Sequence, residues 1–166
     1  MSLFRHTIGA SDISPSVYTY DDSYGTDTSL SKFGLTGAGS AMASLIAKFR
    51  SVSSDITLLG SVWSPPGWMK LNGVIDGNTY NNNLNTNYAS QYASYFVKYL
   101  QAFASAGATV DAITIQNEPL NSQAGYPTMY MDADQATQLI QNNVGPALES
   151  AGLNTEIWAY DHNTGQ

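Results

Sequence analysis

Apolar residues recur along this chain in two alternating rhythms. Short aliphatic or β-branched runs at Leu3 to Ile8, Ile56 to Gly60, Val110 to Ile115 and Glu156 to Tyr160 are each followed by a polar stretch rich in Gly, Pro and Asn. Between them the spacing becomes helical: Met42, Leu45, Ile46 and Phe49 fall at i, i+3, i+4 and i+7, and Tyr92, Tyr95, Phe96, Tyr99, Leu100 and Phe103 repeat the pattern. Each of these segments predicts a helix with one buried face. A third helix is predicted from Asp132, with Gln135 as its capping-box partner, burying Ala136, Leu139, Ile140, Val144 and Leu148 before Gly152 ends it. The order is β-loop-α three times and then β, which predicts an α/β fold with a parallel sheet and right-handed crossovers.

Two architectures satisfy that order, a doubly wound sheet and a (β/α)8 TIM barrel. Loop lengths separate them. The connections that follow strands are long, about Ser11 to Thr36, Trp63 to Asn87 and Asn117 to Met131, whereas those that follow helices are short. Barrel enzymes keep their sites on long loops at the strand C-termini. The chain has neither a Gly-x-Gly-x-x-Gly fingerprint nor a Walker loop, which weakens a nucleotide-binding sheet. A complete barrel needs eight strands and typically about 250 residues. Residues 1–166 are therefore expected to be a partial barrel, about strands 2 to 5 with their helices, without the first strand or the last three. Such an open sheet has uncovered edges, so the isolated chain is expected to be aggregation-prone.

Composition narrows the partners. With 43% apolar and 11% aromatic residues the chain can build a core. Its net charge of −7, with only six Lys and Arg, argues against a nucleic acid or an anionic membrane surface as partner. The absence of cysteine removes thiolate nucleophiles and Cys-based zinc sites. The chain contains no run long enough to span a membrane and no Asn-x-Ser/Thr sequon. A surface rich in Asn, Ser, Thr, Tyr and Gly suits a protein that acts outside the cell on polysaccharide.

The candidate chemistry lies at the strand ends. The run Ala112-Ile113-Thr114-Ile115-Gln116-Asn117-Glu118-Pro119 reads as a strand buried on both faces that stops at a proline, leaving Asn117 and Glu118 where pairing ends. The first strand contributes Arg5 and His6, with Asp12 just beyond it. The second delivers Trp63, and the fourth Asp161, His162 and Asn163. A neutral, hydroxyl-rich ligand needs hydrogen-bonding groups for its OH and an aromatic face for its C–H surface, and this set supplies both. Glu118 suits the general acid of glycoside cleavage, which also requires a second carboxylate. Asp12 and Asp161 are the strand-end candidates, and each has the alternative role of binding sugar hydroxyls or orienting Arg5. His6 and His162 are too few for a His-based metal site and read as core or supporting residues. Pro65-Pro66-Gly67 is a turn, with Trp68 and Met69 plugging the loop. Tyr18, Tyr20, Asp21 and Asp22 either line a subsite or belong to a solvated loop, and Asn81-Asn82-Asn83 is read as a polar loop tip. Asp111 and Glu156 precede strands and read as structural.

Four stretches taken together resemble glycoside hydrolase family 30: Arg5-His6-Thr7-Ile8-Gly9-Ala10-Ser11-Asp12, Tyr18-Thr19-Tyr20-Asp21-Asp22, Trp63-Ser64-Pro65-Pro66-Gly67-Trp68-Met69-Lys70-Leu71-Asn72-Gly73 and Thr114-Ile115-Gln116-Asn117-Glu118-Pro119. Their variants look most similar to the fungal endo-β-1,6-glucanases of that family, and less so to its glucosylceramidases. The resemblance implies a (β/α)8 barrel with an appended β-sandwich and retaining chemistry on a β-linked glucan or glucoside. It implies Glu118 as general acid/base, Asn117 beside it on the sugar 2-hydroxyl, and Arg5, Asp12 and Trp63 holding the same sugar. The family nucleophile is a glutamate at the end of the seventh strand, beyond these residues, so residues 1–166 alone are expected to be inactive. No metal or cofactor is called for. The parent enzyme is expected to be secreted and monomeric. Two alternatives remain, a glucosylceramidase-type β-glucosidase and a non-catalytic carbohydrate-binding half-barrel.

Overall fold

The computed structural model describes residues 3–23, 25–35 and 37–163; Met1, Gln166 and the loop boundary at Thr36 lie outside them. Four strands, β1 (Leu3–Ile8), β2 (Thr57–Val62), β3 (Ala112–Thr114) and β4 (Glu156–Trp158), form one parallel sheet in the order β1-β2-β3-β4. The crossovers carry α1 (Ala38–Val52), α2 (Ala89–Ser105), and α3 (Ala133–Leu139) followed by α4 (Gly145–Ser150). This is the strand-helix alternation of a barrel segment. β3 is shorter than its apolar run, yet strand-like bonding continues past both ends: Asp111 N–H donates to Leu58 O at 3.0 Å and Asn117 N–H to Val62 O at 2.7 Å.

The two faces of the sheet differ in character. Ile8, Leu58, Val62, Ile113 and Ile115 pack with Ile46 of α1 and with Tyr92, Tyr95, Phe96, Tyr99 and Phe103 of α2 into one apolar cluster. His6 belongs to that helical face. Its ring stacks on Phe103 at 5.2 Å and its Nε2 lies 2.5 Å from the Tyr99 hydroxyl. Gly60, paired in register with His6, makes room for that hydroxyl, because a Cβ there would sit 2.3 Å from it. The opposite face carries Arg5, Ser61 and Thr114. Side chains alternate along a strand, so one periodicity gives β1 and β2 both an apolar and a polar side.

Several expectations need correction. The third helix is interrupted: Ile140–Val144 forms a π turn in which Gly145 N–H donates to Ile140 O. Pro146 has no N–H for the carbonyl one turn back, and widening the preceding turn accommodates its ring. Leu45 is 45% exposed. The buried stripe of α1 runs instead through Gly39, Ala43 and Ile46, because the Tyr20 ring lies against Gly39, 2.5 Å from where a Cβ would be. Tyr20 is buried rather than solvated, 2% exposed and stacked near Tyr95 and Tyr99, and Asp21, 0% exposed, sits with Asp22 in the wall of a cavity shared with Trp68, Val74 and Asp76. Asn82 is no loop tip: it is buried and donates to Thr128 Oγ1 at 3.1 Å, tying the loop after β2 to the loop after β3. The Asp132–Gln135 capping box forms in both directions. Asp111 is structural, paired with Arg50 and accepting from Leu58 N–H.

Candidate active site

The C-terminal ends of all four strands converge on one charged web. Arg5 Nη2 donates to Asn117 Oδ1 at 2.6 Å, to Asp161 Oδ2 at 2.6 Å and to Ser61 Oγ at 3.0 Å. Its guanidinium also lies over the Trp63 ring, 4.8 Å from the centroid. Asp161 Oδ2 accepts from Ser61 Oγ at 2.6 Å and from Thr114 Oγ1 at 3.0 Å. Burial alone would raise the Asp161 pKa. The Arg5 and Ser61 hydrogen bonds, the Arg5 charge and the Thr114 hydroxyl outweigh it and hold the carboxyl below the usual range. A carboxylate so held is a counter-ion rather than a free nucleophile, which favours the orienting role among those considered for Asp161.

Glu118 is delivered beside this web by a sharp turn. Its backbone has φ +43°, a left-handed conformation that costs a non-glycine residue about 1 kcal/mol. Neighbouring strands fix that turn: Asn117 N–H is held by Val62 O, and Glu118 N–H donates to Asp161 O at 2.8 Å. Gln116 Nε2 donates to Trp63 O at 2.7 Å and clamps the ends of β2 and β3 together. The Glu118 side chain is half-buried, and its Oε2 accepts from Asn121 Nδ2 at 2.8 Å. No hydrogen bond to Oε1 is present among the described residues.

Arg5, Trp63 and Asn117 are thus in direct contact, with Glu118 next to Asn117 in the chain. Asp12 is not drawn in: it is exposed in the loop after β1 and makes no hydrogen bond to the others. Trp63 is 8% exposed with Arg5 over its ring, so its role here is to support the guanidinium. His162 Nδ1 accepts from Asn163 N–H, and Trp68 packs edge-on against Tyr88. Among the described residues no cluster of three or more His, Cys, Asp or Glu is arranged to hold a metal ion. The sequence reading passed over Ser61, Thr114 and Asn121. Ser61 and Thr114 were legible as lone hydroxyls within apolar strands, and they share one register position.

A carboxylate at a barrel strand end, flanked by an amide and an Arg–Asp pair, is the equipment of a carbohydrate-cleaving barrel. Residues 1–166 match the glycosyl hydrolase family 30 TIM-barrel domain. The chain belongs to that family. It is 65% identical, over 99% of its length, to an endo-1,6-beta-D-glucanase of Neurospora crassa, of which it covers 35%. It is 59% identical to an endo-1,6-beta-D-glucanase of Trichoderma harzianum, covering 99% of this chain and 36% of the relative. A lysosomal acid glucosylceramidase of Mus musculus is 30% identical over 96% of this chain and 32% of its own length. Among solved structures, the endo-beta1,6-glucanase BT3312 superposes with a TM-score of 0.85 at 32% identity, covering 98% of this chain and 35% of that one. The chain therefore spans about a third of the length of the curated relatives it matches.

Proposed function

We propose that this chain is the part of a secreted endo-1,6-β-glucanase that carries the general acid/base, supplying strands two to five of its barrel. The observation that carries the proposal is Glu118 at the end of β3, with one carboxyl oxygen fixed by Asn121 and the other open, beside the Arg5–Asn117–Asp161 web. Glu118 gives its proton to the glycosidic oxygen as the C1–O bond breaks, while a second carboxylate, from outside residues 1–166, bonds to C1. Water then attacks C1, its proton passes to Glu118, and the second carboxylate departs. Asn117 and Arg5 hold the sugar hydroxyls next to the reacting carbon. The substrate is a β-1,6-linked glucan, a reading supported by the identity to endo-1,6-beta-D-glucanases standing well above that to the glucosylceramidase. Among the described residues no helix is long and apolar enough to cross a membrane.

The test is a graft in which residues 1–166 replace the matching third of the Neurospora crassa enzyme. The graft is expected to hydrolyse β-1,6-glucan, and Glu118→Gln to lower kcat by roughly 10²- to 10⁴-fold. A folded graft that binds glucan without turnover, or one indifferent to Glu118→Gln, overturns the proposal.

A further inference from the structure

Asn121 lies three residues past Glu118 in the loop after β3, and its contacts are more constrained than a loop asparagine requires. Its backbone N–H donates to Glu118 O at 2.8 Å, closing a turn over Pro119. Its Oδ1 accepts from Gln123 N–H at 2.9 Å. A backbone N–H can only donate, so the atom facing it is the amide oxygen and the amide's orientation is settled. The Nδ2 group then spends one hydrogen on Glu118 Oε2 at 2.8 Å and the other on the Tyr126 hydroxyl at 3.0 Å. That hydroxyl donates onward to Gln123 Oε1 at 3.2 Å.

The loop behind Asn121 is itself pinned. Thr128 Oγ1 donates to Gln123 O at 3.1 Å, and Gly77 N–H donates to Tyr126 O at 2.9 Å. Gly77 fits because it has no Cβ; one would lie 2.0 Å from Gln123 O. The buried Lys70 ammonium donates to Ile75 O at 2.9 Å, Asp76 O at 3.2 Å and Thr128 O at 2.9 Å, joining the loop after β2 to the loop after β3.

We infer that Asn121 is a positioning residue for Glu118, assigning unequal roles to its two carboxyl oxygens. The carbonyl oxygen of a neutral carboxyl is its better acceptor, so the Asn121 N–H on Oε2 favours the acid proton on Oε1, which has no hydrogen-bond partner among the described residues. In the second half of the cycle Oε1 is likewise the atom that takes the proton from water. This inference rests on the proposed role of Glu118 and adds to it which oxygen acts and what holds it there.

The test uses the same graft and two substrates, β-1,6-glucan and 2,4-dinitrophenyl β-glucoside, whose leaving group departs without protonation. Asn121→Leu, which removes the donor at similar size and adds no charge, is expected to lower kcat on glucan by roughly 10- to 100-fold, the equivalent of one hydrogen bond to a charged group. KM should hold within about threefold, and C1–O cleavage of the aryl glucoside, read as the pre-steady-state burst of dinitrophenolate, should change little. Equal losses on both substrates, or none on either, overturn the inference. Glu118→Gln separates the two claims: loss of glucan hydrolysis there with silence at Asn121 rejects only the positioning role, whereas full activity in Glu118→Gln rejects both.

Discussion

Two aspartates at opposite ends of the described chain are withdrawn from water in opposite ways. Asp161, just beyond β4, meets a guanidinium and two hydroxyls, and its pKa lies below the usual carboxylate range. Asp21, in the loop after β1, is 0% exposed, and among the described residues neither of its oxygens has a hydrogen-bond partner. Burial raises its pKa to about 6, Asp27 and Asp22 add like charge, and only the Trp68 side chain and Lys32 oppose the shift. The difference separates a carboxylate matched by donors from one left without them among the described residues. Asp161 holds Arg5 beside Asn117, whereas Asp21 lines a cavity of about 590 Å³ with Trp68, Val74 and Asp76.

Their contributions to stability therefore run against each other in pH. The folded state depresses the Asp161 pKa, so its contribution is complete above the unfolded value near 4 and is lost as pH falls through the folded value. For Asp21 the folded pKa is raised, so ionising it costs stability at neutral pH, and that cost is relieved as pH falls through about 6 toward 4. Arg5→Met breaks the contrast by making Asp161 resemble Asp21. It leaves a half-buried carboxylate with only two hydroxyl donors, and the graft should lose about 2 kcal/mol at pH 7, a figure reduced from the fully buried case because the pair is partly solvated. Urea titrations at pH 7 and pH 4 check this, with a smaller deficit expected at pH 4. An equal deficit at both would mean that Arg5 stabilises through its contact with Trp63 instead.

Asp21→Asn acts from the other side. Removing a buried, unpartnered charge should raise stability by roughly 1 to 2 kcal/mol at pH 7, with the gain vanishing near pH 4, where the native carboxyl is already protonated. The readout is the difference in urea midpoint between variant and parent across that range. A variant less stable at pH 7 would show that the Asp21 charge is matched by a donor that the remainder of the graft supplies.

How legible these regions were follows from the same contrast. The strands, the parallel order and Glu118 at a strand end could be read because a fully buried strand must be apolar and a proline must end its pairing. Arg5 and Asp161 could be read as partners because a charged residue within a strand needs a counter-ion and Asp161 follows another strand. Asp21 could not be: Tyr18-Thr19-Tyr20-Asp21-Asp22 has no periodicity, and whether such a loop folds inward depends on the space that Gly39 leaves for the Tyr20 ring. Asn82 was misplaced for a similar reason, since its burial depends on Thr128 in a different loop. Asn121 carried no signal at all until the turn at Glu118 brought its amide to the carboxylate.

The smallest expected effect concerns His6, which titrates in the same window as Asp21 with the opposite sign. Burial, with Arg5 adding like charge, lowers its pKa to about 4, so the folded state keeps it neutral and loses stability as pH falls from about 6.5 toward 4. Its Nε2 has the Tyr99 hydroxyl at 2.5 Å, whereas Nδ1 is buried without a partner among the described residues. Tyr99→Phe removes that one partner while keeping the ring stacked in the α2 face, and should cost about 1 kcal/mol at pH 7. If the hydroxyl matters only to His6, then Tyr99→Phe combined with His6→Phe should cost no more than His6→Phe alone, a double-mutant cycle read by urea midpoint. Additive losses would mean that the Tyr99 hydroxyl is held instead by its fit over Gly60, and that the histidine in this otherwise apolar face is a passenger of the strand that carries Arg5.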